Sequence, residues 1–351
     1  MRILAIDLGK EKSVVCDYLR EDGTYKFVTV PTSPDRFHEL LTSHPTDRVV
    51  IEICPIAGWV CDLVRRAGIE IHVAKTTEQA WRWKNVKRKT DRDDALKLAQ
   101  LSSLNQIKLV HVPELKTRQW RSLITYRHRV VARRTQVKNR IKAILTEQAE
   151  SPSYGTRYAW TKTHQDHLRK LARSIGDCHP EELWRGELSL ELDQLSAFDH
   201  QIAQLDQQLE VLGNANPQVR LLRTIPGVGP RLAETIVAVI DGAHRFSKGK
   251  QVACYAGLTP RQFQSGQSDR LGNISRAGNG LLRGLLVEVS WMGLRYNSWL
   301  RELFERVCRG SKARRKLAIV AVARHLLICC WAMLRDGKAW QGKPLLDVLK
   351  S

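Results

Sequence analysis

Between Glu114 and Glu147 the chain has no acidic residue. Ten basic side chains occupy that gap, Lys116, Arg118, Arg121, Arg127, Arg129, Arg133, Arg134, Lys138, Arg140 and Lys142, so no ion pair can form along the stretch itself. The eight cysteines, at 16, 54, 61, 178, 254, 308, 329 and 330, include no C-x-x-C pair. That excludes a thiolate zinc site and predicts free thiols in a reducing cytoplasm. The N-terminus runs straight into a strand pattern without a signal peptide, so the expected setting is the cytoplasm. A charge-free apolar run of membrane-spanning length is also missing. The most apolar stretch, Leu317 to Leu334, carries Arg324 and His325 near its middle and reads as a core helix.

What the chain has in excess is positive charge. Its 351 residues carry 57 Lys and Arg against 36 Asp and Glu, a formal net charge of +21. Solubility needs far less, and a polyanion is the partner such a surface suits, nucleic acid before membrane. With 43% hydrophobic residues the chain can bury a core, and its length fits two or three domains.

Residues Arg2 to Gly9 form a nearly continuous apolar run ending in Asp7, which predicts a buried strand with an acid at its tip. Ser13 to Tyr18 and Tyr25 to Val30 follow as strands about a turn at Glu21 to Thr24, and Ser33-Pro34 starts a helix through Leu41. Val49 to Ile53 is a strand containing Glu52, Gly58 to Ala67 a helix, and Ile69 to Val73 a last strand. Three strands, then alternating helix and strand, is the order of an RNase H-like α/β domain. An ionised carboxylate in an apolar strand must be paired or bound to a metal. Lys89-Thr90-Asp91-Arg92-Asp93-Asp94-Ala95 supplies further candidates: on a helix Asp91 and Asp94 share a face, whereas Asp93 points away as a solvated charge. Asp7, Glu52, Asp91 and Asp94 are therefore expected to form a four-carboxylate site for Mg²⁺ or Mn²⁺, of the kind in which two ions clamp the oxygens of a phosphodiester. The bland alternatives are a turn acid for Asp7 and an ion-paired edge acid for Glu52. Asp17, Asp35 and Asp62 read as surface acids. Asp7-Leu8-Gly9-Lys10 with Ser13 also resembles the first phosphate loop of actin-like kinases, but no second glycine-rich loop preceded by an acid follows.

The acid-free stretch has apolar residues at helical spacing and predicts one long helix with basic outer faces, a nucleic-acid surface in which Arg121, Arg127, Arg133, Arg134, Lys138, Arg140 and Lys142 contact DNA or RNA. Ser151 to Asp177 reads as a polar link whose Tyr154, Tyr158 and Trp160 either stack on bases or form a small apolar cluster. Leu188, Leu195, Ile202 and Leu209 recur every seven residues, giving either a coiled coil for self-association or the second arm of an antiparallel hairpin with the basic helix.

Ile225-Pro226-Gly227-Val228-Gly229-Pro230 leads into a helix, a helix-hairpin-helix-like signature; its glycines suit either a phosphate or a tight turn. A polar, glycine-rich loop containing Gln264-Ser265-Gly266 then lies between apolar helices. Arg276, Arg314 and Arg315, the last two in a basic cluster from Arg301 to Lys316, are further candidates for phosphate contact.

Over nearly its full length the chain resembles the DEDD insertion-sequence transposases related to the Piv invertases, the bridge-RNA-guided recombinases. The motifs that carry this are Ala5-Ile6-Asp7, Ile51-Glu52, Lys89 to Ala95, Ile225 to Gly229, Gly257-Leu258-Thr259-Pro260, Gln264-Ser265-Gly266 and Ile274 to Asn279. The resemblance implies a RuvC-like domain over 1–110, a basic helix and coiled coil over 111–217 and a mainly helical transposase domain over 218–351. It also implies a noncoding guide RNA that selects donor and target DNA, a homo-oligomer (dimer, or tetramer on DNA), and Ser265 as a nucleophile joined covalently to DNA. No His neighbours Ser265 in sequence, so the carboxylates and their metal are the expected activators. Ser268 and Ser275 compete for the role, although Ser275 suits a helix N-cap ahead of Arg276. The alternatives are a RuvC-like, Mg²⁺-dependent junction nuclease that uses water, and a catalytically dead nucleic-acid scaffold.

Overall fold

The computed structural model describes residues 1–75, 90–150, 160–266 and 268–342. The chain divides at Gln119 into two compact units. The first is built on β1 (Arg2–Asp7), β2 (Lys12–Leu19), β3 (Tyr25–Pro31), β4 (Arg48–Glu52) and β5 (Glu70–Ala74), in the order β3-β2-β1-β4-β5. The pairs β1–β2 and β2–β3 are antiparallel, while β1–β4 and β4–β5 are parallel. Helices α1 (Pro34–Ser43) and α2 (Ala57–Arg66) cover one face and α3 (Asp91–Ser103) the other. Burial on both sides explains why β1 and β4 are apolar at every inner position rather than alternating. Leu4, Ile6, Val49 and Ile51 meet Phe37 and Val60 on one side; Ile3, Ala5 and Val50 meet Ala95, Leu98 and Ala99 on the other. The free edge of β5 is closed by residues 108–110, with Val110 N donating to Val73 O at 2.8 Å, which removes an edge open to aggregation.

Local signals set the ends of these helices. Ser33 Oγ accepts from Arg36 N at the start of α1, with Pro34 in the first turn. Two expected surface acids have fixed partners: Asp17 binds the Arg2 guanidinium at 2.8 and 2.5 Å, and Asp62 binds Arg118. Each is half-buried and needs its arginine, which holds its carboxyl below the ordinary carboxylate range. Ser13 is buried with its Oγ 2.7 Å from Thr32 Oγ1, so it packs between strands and offers nothing to a phosphate.

The second unit is helical apart from one hairpin. Its long arms are α4 (Leu115–Glu147), whose first residues precede the division, and α6 (Leu183–Ala215). They run antiparallel, because Arg127 pairs with Asp206, Arg134 with Asp199 and Arg140 with Glu187. The expected polar link at 151–177 contains a helix, α5 (Lys162–Leu171), capped by Thr161. Leu168 packs with Val137, Ile141, Leu188 and Leu192, and Trp160 borders the same cluster, so its ring serves apolar packing. Tyr154 and Tyr158 lie outside the described residues. The remaining core gathers α7 (Pro217–Leu222), α8 (Pro230–Ile240), α9 (Gly249–Tyr255), α10 (Gly280–Gly293) and α11 (Ser298–Cys308) around α12 (Arg315–Asp336). The apolar stretch lies in α12, whose central residues, Trp331 among them, are buried in this core. Strands β6 (Pro260–Ser265) and β7 (Ser268–Ile274) form the hairpin, where a loop was expected.

Asp93 is not a free helix charge. Its Oδ2 accepts from Thr90 N at 2.9 Å and from Thr90 Oγ1 at 2.6 Å, while Thr90 Oγ1 accepts from Asp93 N, a reciprocal cap that starts α3 at Asp91. Asp93→Ala is expected to destabilise the protein through loss of this reciprocal cap. In urea this appears as a lower midpoint at unchanged slope; an unaltered midpoint would show that the cap contributes nothing.

Candidate active site

Two sets of side chains stand out, one in each unit. In the first, β1 and β4 pair in parallel with Ile6 opposite Ile51. Asp7 and Glu52 are the next residues along and lie side by side at the same end of the sheet. Alternation puts Asp7 on the face of Ile3 and Ala5, and Glu52 on that of Val50, which is the face α3 covers. On α3 the buried residues are Ala95, Leu98, Ala99 and Ser102. Asp91 lies four residues before Ala95 and Asp94 four before Leu98, so both continue the sheet-facing stripe.

The direction of α3 follows from its far end, where Ser102 O accepts from Arg48 Nη1 at 3.4 Å. Asp91 is about 16 Å up the helix from Ser102, and Glu52 is about 13 Å along the strand from Arg48. From Ser102 the helix runs back across β1 and β2, and in its first turn the Arg92 guanidinium lies 5.7 Å from the centre of the Phe27 ring on β3. Asp7, Glu52 and Asp94 are half-buried, and Asp91 is exposed in the first turn. Asp7 and Glu52 share a face and an end of the sheet, and Asp91 and Asp94 share a face of α3, yet among the described residues no three acidic, His or Cys side chains close into a group able to hold a metal ion.

The second set surrounds Ser265. Every described residue from Pro260 to Asn273 is exposed, and Ser265 pairs with Ser268 beside the tight loop that begins at Gly266, φ +55°. The base of the hairpin is tied to the end of α9. Ser275 N donates to Thr259 O at 2.8 Å, Arg276 N to Gly257 O at 3.2 Å, and Arg283 Nη1 to Ala256 O at 3.0 Å. Two glycines make this approach possible. A Cβ on Gly257, φ +70°, would lie 2.0 Å from Ala277 O, and one on Gly278, φ +97°, 2.1 Å from Tyr255 O. No other residue fits at such distances. The motifs Gly257 to Pro260 and Ile274 to Asn279 are thus the two sides of one clasp. Ser275 does not cap α10; Asn279 does, accepting from Leu282 N at 3.0 Å, because the helix starts four residues later than expected. The Ser275 hydroxyl is buried within the clasp, whereas Ser265 and Ser268 face solvent.

Several cations assigned to nucleic acid have partners inside the chain. Arg121 is half-buried and donates from Nε and Nη2 to the carbonyls of Ala238 and Val239 at 2.6 and 3.0 Å, capping α8. Arg127, Arg134 and Arg140 hold acids of α6, and Lys138 Nζ lies 5.0 Å from the centre of the Trp160 ring. The acid-free helix is partly neutralised by its antiparallel neighbour, a source of charge about 50–80 residues away that a reading along one helix does not see. Arg129 and Arg133 remain exposed with no acid partner among the described residues. Arg276 is exposed at φ +55°, Arg314 is half-buried, and Arg315 lies over Trp291 at 5.7 Å. Gly227 serves packing, since its Cβ would stand 3.1 Å from Gly293 Cα.

Glu234, in α8, escaped the sequence reading. It is 1% exposed, and although Arg231 lies 3.0 Å away, burial outweighs that attraction and pushes its carboxyl up to about 7. Nothing marks it in sequence except an acid inside an otherwise apolar helix.

Comparison with known proteins identifies the kind of molecule these units compose. Residues 4–149 match a DEDD transposase family of the IS110 type, and residues 219–305 match the transposase IS116/IS110/IS902 family. These are transposases, enzymes that act on DNA. The chain is 26% identical over 350 residues to the transposase for insertion sequence element IS1111A of Coxiella burnetii, covering 97% of this chain and 92% of that protein. It is 29% identical to a probable family 20 transposase of Pseudomonas aeruginosa, over 67% and 68% of the two chains. It is 34% identical to the pilin gene-inverting protein of Moraxella bovis, over 42% and 47%. The chain belongs to the IS110 family of insertion-sequence transposases.

Because folded Glu234 keeps its proton while the unfolded residue releases it at about its ordinary 4.5, stability falls as pH rises toward about 7 and is level above that. Glu234→Gln should remove this slope and raise the melting temperature most above neutrality. Parallel pH profiles of wild type and variant would refute the burial assignment.

Proposed function

We propose that the chain cuts and rejoins DNA strands of its insertion sequence through Ser265, with Asp7, Glu52, Asp91 and Asp94 holding Mg²⁺ or Mn²⁺ and a guide RNA selecting donor and target. The single observation that carries this reading is the position of Ser265, an exposed hydroxyl near the tip of a hairpin clasped to a rigid helical core. A nucleophile that must reach a phosphodiester in a duplex needs such projection on a firm base. The serine Oγ attacks phosphorus, a P–O bond to serine forms, and the bond to one deoxyribose oxygen breaks. That oxygen leaves as a hydroxyl carrying the serine proton. Reversal by the hydroxyl of another strand rejoins DNA and restores Ser265.

The carboxylate set is the right chemistry for a hard divalent ion, being all oxygen with no His or Cys at its positions. Bound there, the ion would offset phosphate charge and ease loss of a hydroxyl proton. What supports this reading is an RNase H-like sheet, read as RuvC-like, with Asp7 and Glu52 side by side at one end, and a capped helix with Asp91 and Asp94 in its first turn. Arg129 and Arg133, with the rest of the +21 excess, are the cations left for DNA or guide RNA. On this reading the protein acts in the cytoplasm as an oligomer on DNA.

Ser265→Ala should abolish strand joining and any covalent protein–DNA adduct on denaturing gels, Ser268→Ala should retain both, and Asp94→Asn should lose joining while binding DNA as before. Joining at the wild-type rate by Ser265→Ala would remove the nucleophile role from that residue, and wild-type cleavage with neither adduct nor joining would return the assignment to a water-using junction nuclease.

Charge reversal separates binding from folding along α4. Arg133→Glu should weaken nucleic-acid binding and reduce the slope of log affinity on log salt by about 1 without changing stability. Arg134→Glu should lower the melting temperature, because Asp199 then faces a like charge. Identical behaviour of the two variants would refute this division of labour.

A further inference from the structure

The β6–β7 hairpin has two faces of different chemistry. Directly opposed residues share a face, as do residues two apart along a strand. One face therefore carries Ser265 with Ser268 and Phe263 with Arg270; the other carries Gln264 with Asp269 and Gln262 with Leu271. Asp269 is the acid of this hairpin, and it is held on the second face, where its Oδ1 accepts from Gln262 Nε2 at 2.9 Å. The serine face is left with a cation, an aromatic ring and no carboxylate. Phe263 is 61% exposed, and its ring lies over Gly272, where an added Cβ would come within 3.0 Å of Cε2. Glycine opposite the ring thus keeps the aromatic flat along the ribbon instead of displaced from it. Arg270 sits one pair from Ser265, about 7 Å along the strand, well within the length of an arginine side chain.

Building on the reading of Ser265 as nucleophile, we infer that this face docks on the DNA strand being cut, Arg270 holding the backbone phosphate region at Ser265 and Phe263 stacking on a neighbouring base. Guanidinium suits a phosphate because it offers paired, charge-assisted donors. An exposed ring suits a base regardless of sequence, because every base presents a π-face. Both residues are positioning residues: they bring a strand to the serine without entering the bond exchange. The opposite face, with Leu271 69% exposed and Asp269 negative, repels a phosphate backbone and stays outward.

The test uses the full-length chain carrying Ser265→Ala, so that binding is read without strand joining. A photo-crosslinking amino acid, p-benzoylphenylalanine, replaces Phe263 or Leu271, and the probe is a fluorescein-labelled, mixed-sequence single strand or duplex. Crosslinking to the strand should be several-fold greater from 263 than from 271, because the photoreactive group labels what lies against its own face of the ribbon. Arg270→Glu should reduce the signal from 263 by about tenfold, as for one lost hydrogen bond to a charged group, and Arg270→Lys should restore part of it. Equal labelling from the two faces, protein–protein crosslinks in place of protein–DNA ones, or indifference to Arg270→Glu would overturn the inference. Strand joining by Ser265→Ala alone would instead remove the nucleophile assignment, so the two failures are distinct.

Discussion

Side chains alternate across a strand, and in the first unit that rule decides where the chemistry can be. With Ile6 opposite Ile51, the acids at the ends of β1 and β4 are committed to one face, the one α3 covers. A slip of one residue in either strand would turn one acid to the α1–α2 face and bury an apolar residue in its place. The continuous apolar runs of β1 and β4 resist that slip only because both faces demand particular side chains, small ones such as Ala5 against Ala95 and Ala99, larger ones against Phe37 and Val60. The same constraint sets the helix. Its sheet-facing stripe, extended back by whole turns from Leu98 and Ala95, ends in Asp94 and Asp91, so packing and carboxylate placement are one pattern.

Much of this was legible from the residues. The five strands, the Ser33 cap and the shared face of Asp91 and Asp94 follow from local rules that need no distant partner. Asp93 shows where a local rule was present and misapplied: Thr90-x-x-Asp93 is a capping pattern, and its acid is committed to the helix start rather than to solvent. The β6–β7 ribbon left no comparable trace. A strand announces itself by alternation between a buried and a wet face, and this ribbon buries neither, so its residues look like a polar loop. The helix α5 was hidden for a related reason, since one buried residue, Leu168, is too few to set a period.

Charge was the least legible property, because it was counted along a helix and is balanced across a pair. Arg127, Arg134 and Arg140 look self-repelling until Asp206, Asp199 and Glu187 are brought alongside by antiparallel packing. These pairs are partly exposed and screened by water, so each contributes little to stability. Their larger effect is on register, as a slide of α6 by a turn in either direction leaves Leu195 or Ala203 in the place of Asp199 opposite Arg134. Arg121 goes further, giving its guanidinium to two carbonyls at the end of α8. Arg129 and Arg133 are the exposed arginines of α4 that no acid reaches among the described residues.

An isolated two-stranded ribbon is only marginally stable in water, and β6–β7 has no sheet or helix beneath it. Its order must come from its root. The Gly257–Ala277 and Gly278–Tyr255 approaches, with Arg283 reaching Ala256 O, fix both strands where they leave the core, and the cross-strand hydrogen bonds then extend that geometry outward to Ser265. A side chain at either glycine would push the strands off their anchor and move the serine by a distance that grows toward the tip. This explains why the two motifs that flank the ribbon contain its most sterically constrained glycines although neither glycine is near the hydroxyl. The clasp acts through leverage, and the residues that aim Ser265 are the ones at the far end of the ribbon from it.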